Sequence, residues 1–220
     1  MRTVLLLVAM GLGAPPDELR TYAIDAGASD VYVQIAPDRG TLLSGLSHEH
    51  VIVARALRGK VEWREDRPDA CWVDIEVPVS GLEVDPEPKR RALGFDKPLS
   101  DGDRAKVEKN MRAKNQLWAD EYALIRFRGT RCERKDASTI EVRGALTVRG
   151  VSADVVLPVR VDFEEDGLRA RVDFTRVHAD FGFEPYSNLL GALKNDDALR
   201  FHVDLRATRT STVSQPSGPE

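Results

Sequence analysis

Apolar and polar residues alternate with period two through most of the chain. Across residues 57–64, Leu57, Gly59, Val61 and Trp63 fall on one side, and Arg58, Lys60, Glu62 and Arg64 on the other. Residues 139–149 repeat the pattern, with Ile140, Val142, Gly144, Leu146 and Val148 opposed to Glu141, Arg143, Ala145, Thr147 and Arg149. One phase then carries Val151, Ala153, Val155, Leu157, Val159, Val161 and Phe163, another Leu168, Ala170, Val172 and Phe174, and a last one Leu199, Phe201, Val203 and Leu205. An antiparallel sheet with one buried and one wet face demands this alternation. Shorter runs at 22–26, 31–36, 50–54, 71–79 and 124–131 bring the expectation to about eight to ten strands. So many strands with so little helix predict an all-β protein, either a sandwich or a closed antiparallel barrel.

One stretch breaks the alternation. Residues 99–122 open with Ser100 or Asp101 as a helix cap, and Asp103 in the first turn suits the helix dipole. Val107, Met111 and Trp118 recur at helical spacing and predict one face laid on the sheet. A second short helix or turn is expected over 186–194. The Pro- and charge-rich segment 84–99 reads as an exposed excursion, and the polar 209–220 as a disordered tail. No repeat or second domain is evident, so a single domain over 20–208 accounts for the chain.

The first residues, Met1 and Arg2 followed by an apolar run to Leu12 and then small residues, resemble a secretory signal over 1–14; an N-terminal strand or anchor is the other reading. Export predicts a periplasmic or secreted protein. No later run approaches the ~20 apolar residues that span a bilayer, so no transmembrane segment is expected. Of the 220 residues 42% are hydrophobic and 31% charged, an ordinary globular balance. The net charge of -4, with Lys and Arg spread singly, excludes a basic surface for nucleic acid. Cys71 shares a phase with Val73, Ile75 and Val77, whereas Cys132 shares one with Arg126 and Arg128. Thiols on opposite faces cannot be bridged unless a bulge intervenes, so two free cysteines are expected.

Catalytic signatures are missing. His48-Glu49-His50 is not the zinc-protease pair, because Ile52 stands where its second histidine would be, and neither a serine nucleophile elbow nor a phosphate-loop lysine occurs. His48 and His50 share a face with Ile52, and His178 continues the phase of Leu168–Phe174 with Asp180 next in line. His202 points outward between Phe201 and Val203. His48, His50, His178 and Asp180 therefore form a candidate cluster at one barrel end. It is either a polar rim that orients a ligand head group or a metal site of three histidines with Asp180. Small inner residues (Gly59, Gly144, Ala153, Ala170) either leave a tunnel or fit the barrel taper. The 13 residues of the run 151–163, at ~3.3 Å each, make about 40 Å of strand, long enough to line a lipid tail.

Four fragments carry a family resemblance. Tyr22-Ala23-Ile24-Asp25 followed by Ser29 resembles an opening strand motif. Residues 111–122 followed by Ile125 and Phe127 resemble a helix running into the next strand. Residues 144–150 followed by 155–159 form the most specific piece, and Asp180-Phe181-Gly182-Phe183 resembles a closing turn. In this order they resemble the YceI-like, polyisoprenoid-binding family of lipocalin-like barrels, from about Tyr22 to Ala207. Ala123 stands where that family usually has proline, and 47–50 resembles a histidine-bearing subgroup. The resemblance implies a lipocalin-like barrel of about eight strands with one or two short helices, non-catalytic, holding an isoprenoid-like lipid or other long amphiphile. Its partner is that lipid, with no further cofactor, and the oligomeric state is open, a dimer included. Leu57, Val61, Trp63, Val142, Leu146, Val155, Leu157, Val172, Phe174, Phe201 and Val203 are then the tunnel wall, with His48, His50 and His178 at the head group. The alternative is a metal-binding barrel, an enzyme included, using His48, His50, His178 and Asp180.

Overall fold

The computed structural model describes residues 19–210; the expected signal segment and the tail beyond 210 lie outside it. The alternating runs become eleven strands: β1 (Arg20–Pro37), β2 (His50–Ala54), β3 (Arg58–Trp63), β4 (Trp72–Pro78), β5 (Leu82–Val84), β6 (Leu124–Arg134), β7 (Thr139–Val148), β8 (Val151–Phe163), β9 (Gly167–Val177), β10 (Ser187–Asn188) and β11 (Leu193–Arg209). Two helices, α1 (Glu87–Ala92) and α2 (Asp101–Arg112), separate β5 from β6. Around the barrel the order is β1-β3-β4-β6-β7-β8-β9-β11, every pair antiparallel, and pairing of β11 with β1 closes the ring at eight strands. The barrel is all-β and lipocalin-like. Closure leaves no unpaired edge among these eight strands, the main liability of an antiparallel sheet.

β1 is long enough to serve two neighbours. Its first half pairs with β3 and its second half with β2, across an irregularity between Asp25 and Asp30 where the Ser29 hydroxyl accepts from Arg206 N–H at 3.0 Å. β2 with β3, and β5 with β4, behave as two long strands each interrupted once, the break held by Arg55 N–H on the Gly81 carbonyl at 2.9 Å. Val148 and Val151 face each other across a two-residue turn in which Arg149 and Gly150 both take positive φ. Such a turn follows the twist of the hairpin. A side chain at Gly150 would collide with the Tyr122 ring, so this turn needs glycine twice over.

The cysteine expectation is overturned. Cys71 and Cys132 form a disulfide with Cα atoms 5.7 Å apart. The cause is a bulge in β6: Gly129 pairs with Gly144 and Arg131 with Arg143, so Thr130 is an extra residue and every later side chain changes face. Cys132 thereby turns inward opposite Val142.

Two further expectations are corrected. The segment 84–99 is not an exposed excursion: Asp85, Arg90 and Leu99 are buried in it, and its Leu93 and Phe95 cover Tyr32, Val51 and Val53 on the outer face of β1 and β2. The Pro- and charge-rich composition is real, but Asp85, Pro86 and Arg90 are turned inward. The helix begins as read, with Ser100 Oγ accepting from Asp103 N–H at 3.1 Å, yet it ends at Arg112. Trp118 therefore sits in the following turn, at φ 48°, rather than on the helix face. There it packs edge-on to Tyr122, with Lys114 Nζ 4.7 Å from its ring centre. The stretch 186–194 holds β10 and a single turn of 3-10 helix.

Candidate functional site

The barrel encloses a cavity of about 340 Å³. That volume lies within the ~300–1,000 Å³ of small-molecule sites. The inward phases of the strands make its wall, and every apolar candidate from the sequence except Val155 lines it: Leu57, Val61, Trp63, Val142, Leu146, Leu157, Val172, Phe174, Phe201 and Val203. Val155 sits opposite Gly144 and is buried in the surrounding core, off the cavity wall. The small inner residues divide. Ala170 borders the cavity. A Cβ at Gly59 or Gly144 would strike the backbone of the neighbouring strand, so those two glycines serve strand contact rather than tunnel space.

The two ends of the cavity differ. At the far end Trp63 packs on Phe163 with ring centres 5.3 Å apart, and the Tyr22 ring lies 6.3 Å from that of Phe163. Tyr22 and Trp63 are buried, and the Cys71–Cys132 bridge lies along the same end of the wall. At the mouth the wall turns polar. His50 and His178 line it, joined by Asn110 from α2, Gln116 from the turn after it, Tyr186 from the loop before β10 and Asn195 from the start of β11. The helix α2 and residues 113–122 lie across this end, contributing Val107, Met111 and Leu117 to the lining. Arg149 fastens them there: its guanidinium donates to the Lys114 carbonyl at 2.9 Å and stands 5.8 and 5.9 Å from the Trp118 and Phe183 ring centres. Three of the four sequence fragments meet at this one arginine.

His50 is held by a group that sequence reasoning passed over. Its Nδ1 donates to Asp85 Oδ2 at 2.6 Å, while Asp85 Oδ1 accepts from Val51 N–H and from the Arg90 guanidinium, both at 2.9 Å. Arg90 also donates to the Glu49 and Lys97 carbonyls at 2.6 and 2.9 Å, and Arg104 donates to the Asp85 carbonyl at 2.8 Å. Burial alone would raise the Asp85 carboxyl, but the hydrogen bond and charge of His50, with Val51 N–H and Arg90, outweigh it and hold it below the usual range. With Nδ1 committed to Asp85, His50 Nε2 is the ring nitrogen left for the cavity.

His178 is oriented differently. Its Nδ1 donates to the Asp197 carbonyl at 2.8 Å, its ring meets Phe183 edge-on at 5.1 Å, and its main-chain N–H reaches Asp197 Oδ1 at 3.1 Å. His48 stands off the cavity wall with Nδ1 buried and unpartnered. Burial, with the nearby charges of His50, Lys97 and Arg90, lowers its pKa. Asp180 is taken by Val177 N–H at 3.2 Å and by Arg176 at 3.3 Å. The arrangement a three-ligand metal site needs does not form from His48, His50, His178 and Asp180, and among the described residues no group of three His, Cys, Asp or Glu side chains is placed to hold a metal. His202 is on the outer face, stacked on Tyr32 at 4.6 Å and bonded to Asp173 at 2.6 Å.

The fold has solved counterparts. BcnA of Burkholderia cenocepacia superposes with a TM-score of 0.62 at 13% identity, covering 84% of this chain and 99% of its own. A YCEI protein of Campylobacter jejuni gives 0.54 at 12% identity, over 73% of this chain and 85% of its own. At such identities the likeness concerns the fold alone. No curated protein matches the sequence. The model of the YceI-like domain matches residues 22–207, nearly the whole described barrel, and the chain belongs to that family.

Proposed function

We propose that this barrel is a non-catalytic binding or transport protein for an isoprenoid-like lipid or another long amphiphile. The apolar tail lies toward Trp63 and Phe163, and the polar end meets His50 and His178. The observation that carries this reading is the shape of the cavity's chemistry, apolar along its length with polar side chains gathered at one end only. Apolar burial yields ~25 cal/mol per Å², so a tail can be held firmly without directional contacts. A few oriented polar groups then select the head. The YceI-like family is one of lipid-binding barrels, which supports the same assignment. A disulfide persists in oxidising compartments, so the Cys71–Cys132 bridge supports a periplasmic or secreted location. No helix among the described residues is long and apolar enough to cross a membrane.

The test is native mass spectrometry of the full chain purified from its own compartment without unfolding. An adduct of lipid mass that organic solvent removes is the expected result. A spectrum at the bare polypeptide mass, together with a lipid-free solvent extract, would sink the proposal.

A further inference from the structure

Eight large hydrophobic side chains are exposed among the described residues, and four of them, Leu42, Leu46, Leu189 and Leu190, belong to two loops at the mouth. Scattered exposed leucines are ordinary, but a group gathered around an opening is not. The loops are neighbours: Leu43 N–H donates to the Ala192 carbonyl at 3.0 Å, and Asp38 N–H to the Lys194 carbonyl at 2.9 Å. Residues 40–47 and 186–193 contain no Asp, Glu, Lys or Arg, in a chain with 31% charged residues. Leu42 is 90% exposed and Leu190 fully so. Leu189 and Leu190 hold φ of 51° and 55°, a left-handed backbone that leucine rarely adopts. The fold thus accepts strain where it displays them.

We infer that these loops form a membrane-docking rim, and that the surface they fit is a lipid bilayer, with the leucines passing between the head groups to the acyl boundary. A protein interface would call for hydrogen-bonding and charged groups at its edge; these loops bring none of the charges. A bilayer calls for backbone polar groups satisfied from within. The loops meet that need through Ser44 N–H on the Thr41 carbonyl, Leu46 on Leu43, Ser47 on Ser44 and Ala192 on Leu189, at 2.9–3.2 Å, while Lys97 Nζ caps the Gly45 and Ser47 carbonyls at 2.7 and 3.0 Å. Tyr186, Asn195 and His50 belong at once to this end and to the cavity wall. A docked barrel would therefore take up or release a tail without that tail crossing water. The purpose of docking rests on the lipid-carrier reading; the docking itself is measured separately.

The experiment is flotation of the full chain with phosphatidylcholine vesicles. It compares the unaltered protein with a triple variant, Leu42→Ser, Leu189→Asn and Leu190→Asn, asparagine being tolerant of the left-handed backbone. Val156→Ser, an exposed position on the side wall of β8, is the control. Vesicle binding should fall about tenfold or more in the triple variant, given the apolar area removed, and stay unchanged in the control, with the melting temperature of both preserved. Equal flotation of the triple variant overturns the inference, as does an unaltered chain that stays with the unbound fraction. Leucine-dependent dimerisation without flotation also overturns it, by making a second copy the occupant. Native mass spectra taken in parallel separate the two readings: a lipid adduct without flotation removes only the docking rim, and flotation with an empty barrel removes only the lipid carrier.

Discussion

Asp85 is buried with a formal charge, which costs several kcal/mol unless the charge is paired and its lone pairs are filled. Both oxygens are filled, by His50, Val51 and Arg90, and the Arg90 guanidinium is itself satisfied by two carbonyls. The arrangement fixes the tautomer and the direction of the His50 ring at the cavity mouth. Replacing Asp85 with Asn leaves the Arg90 charge uncompensated, for an expected loss of about 3–5 kcal/mol in urea unfolding. The pH dependence has a definite sign. A carboxyl held below its unfolded value contributes stability that is complete above about pH 4 and is lost as the pH falls through the folded value. The stability gap between the unaltered protein and Asp85→Asn should thus be full at neutral pH and close below about pH 4; a gap that persists in acid would show that the carboxylate is not what holds this corner. None of this was legible in the sequence. Glu83, Asp85 and Glu87 alternate just before Lys89, Arg90 and Arg91, and nothing local says which acid and which base turn inward. The choice is made by α1 folding back over β2.

At the scale of elements, period two carries far because a half-buried strand has no other way to arrange its side chains. β8 shows the limit case, with Ala153, Val155, Leu157 and Val159 buried and their neighbours exposed. The pattern breaks where the period slips. One extra residue at Thr130 reverses the phase of the rest of β6, so the same rule that placed Phe127 inward placed Cys132 outward and missed the disulfide. The signal available was Gly129 followed by a β-branched threonine, too common to act on alone. Helix α2 was legible at its capped start and not at its end, since the spacing of Trp118 mimics a helical face that the chain has already left. The bulge has an energetic consequence. The bridge closes a loop of 61 residues, for which the loss of chain entropy in the unfolded state amounts to about 4 kcal/mol. The double replacement Cys71→Ser with Cys132→Ser should lower stability by roughly 2–5 kcal/mol, and reduction should destabilise the unaltered protein to the same level. An unaltered midpoint under reducing conditions would mean that the bulged strand holds its geometry without the bond.

At the scale of the molecule, an eight-stranded barrel is at the width where side chains either fill the interior or leave room for one small ligand. Here the wall residues lie against the inside without meeting across it, so a void of about 340 Å³ remains. Its far end is shut by aromatic rings and its mouth is roofed by α2 and the turn that Arg149 holds. Ala170 gives a direct way to ask whether that space is what the protein uses. It stands on the wall between Val161 of β8 and Leu205 of β11, with its methyl facing the void. Ala170→Phe should place its ring in space that is otherwise unfilled, and so leave the melting temperature nearly unchanged while weakening lipid affinity about tenfold or more, the loss that ~1.4 kcal/mol of binding represents. Two outcomes would contradict this. Retention of the full adduct would put the ligand somewhere other than the barrel. A fall in stability of about 1–3 kcal/mol, the usual cost of overpacking a filled core, would mean that the interior closes on itself when no ligand is present, and that the ligand must open the barrel as it enters.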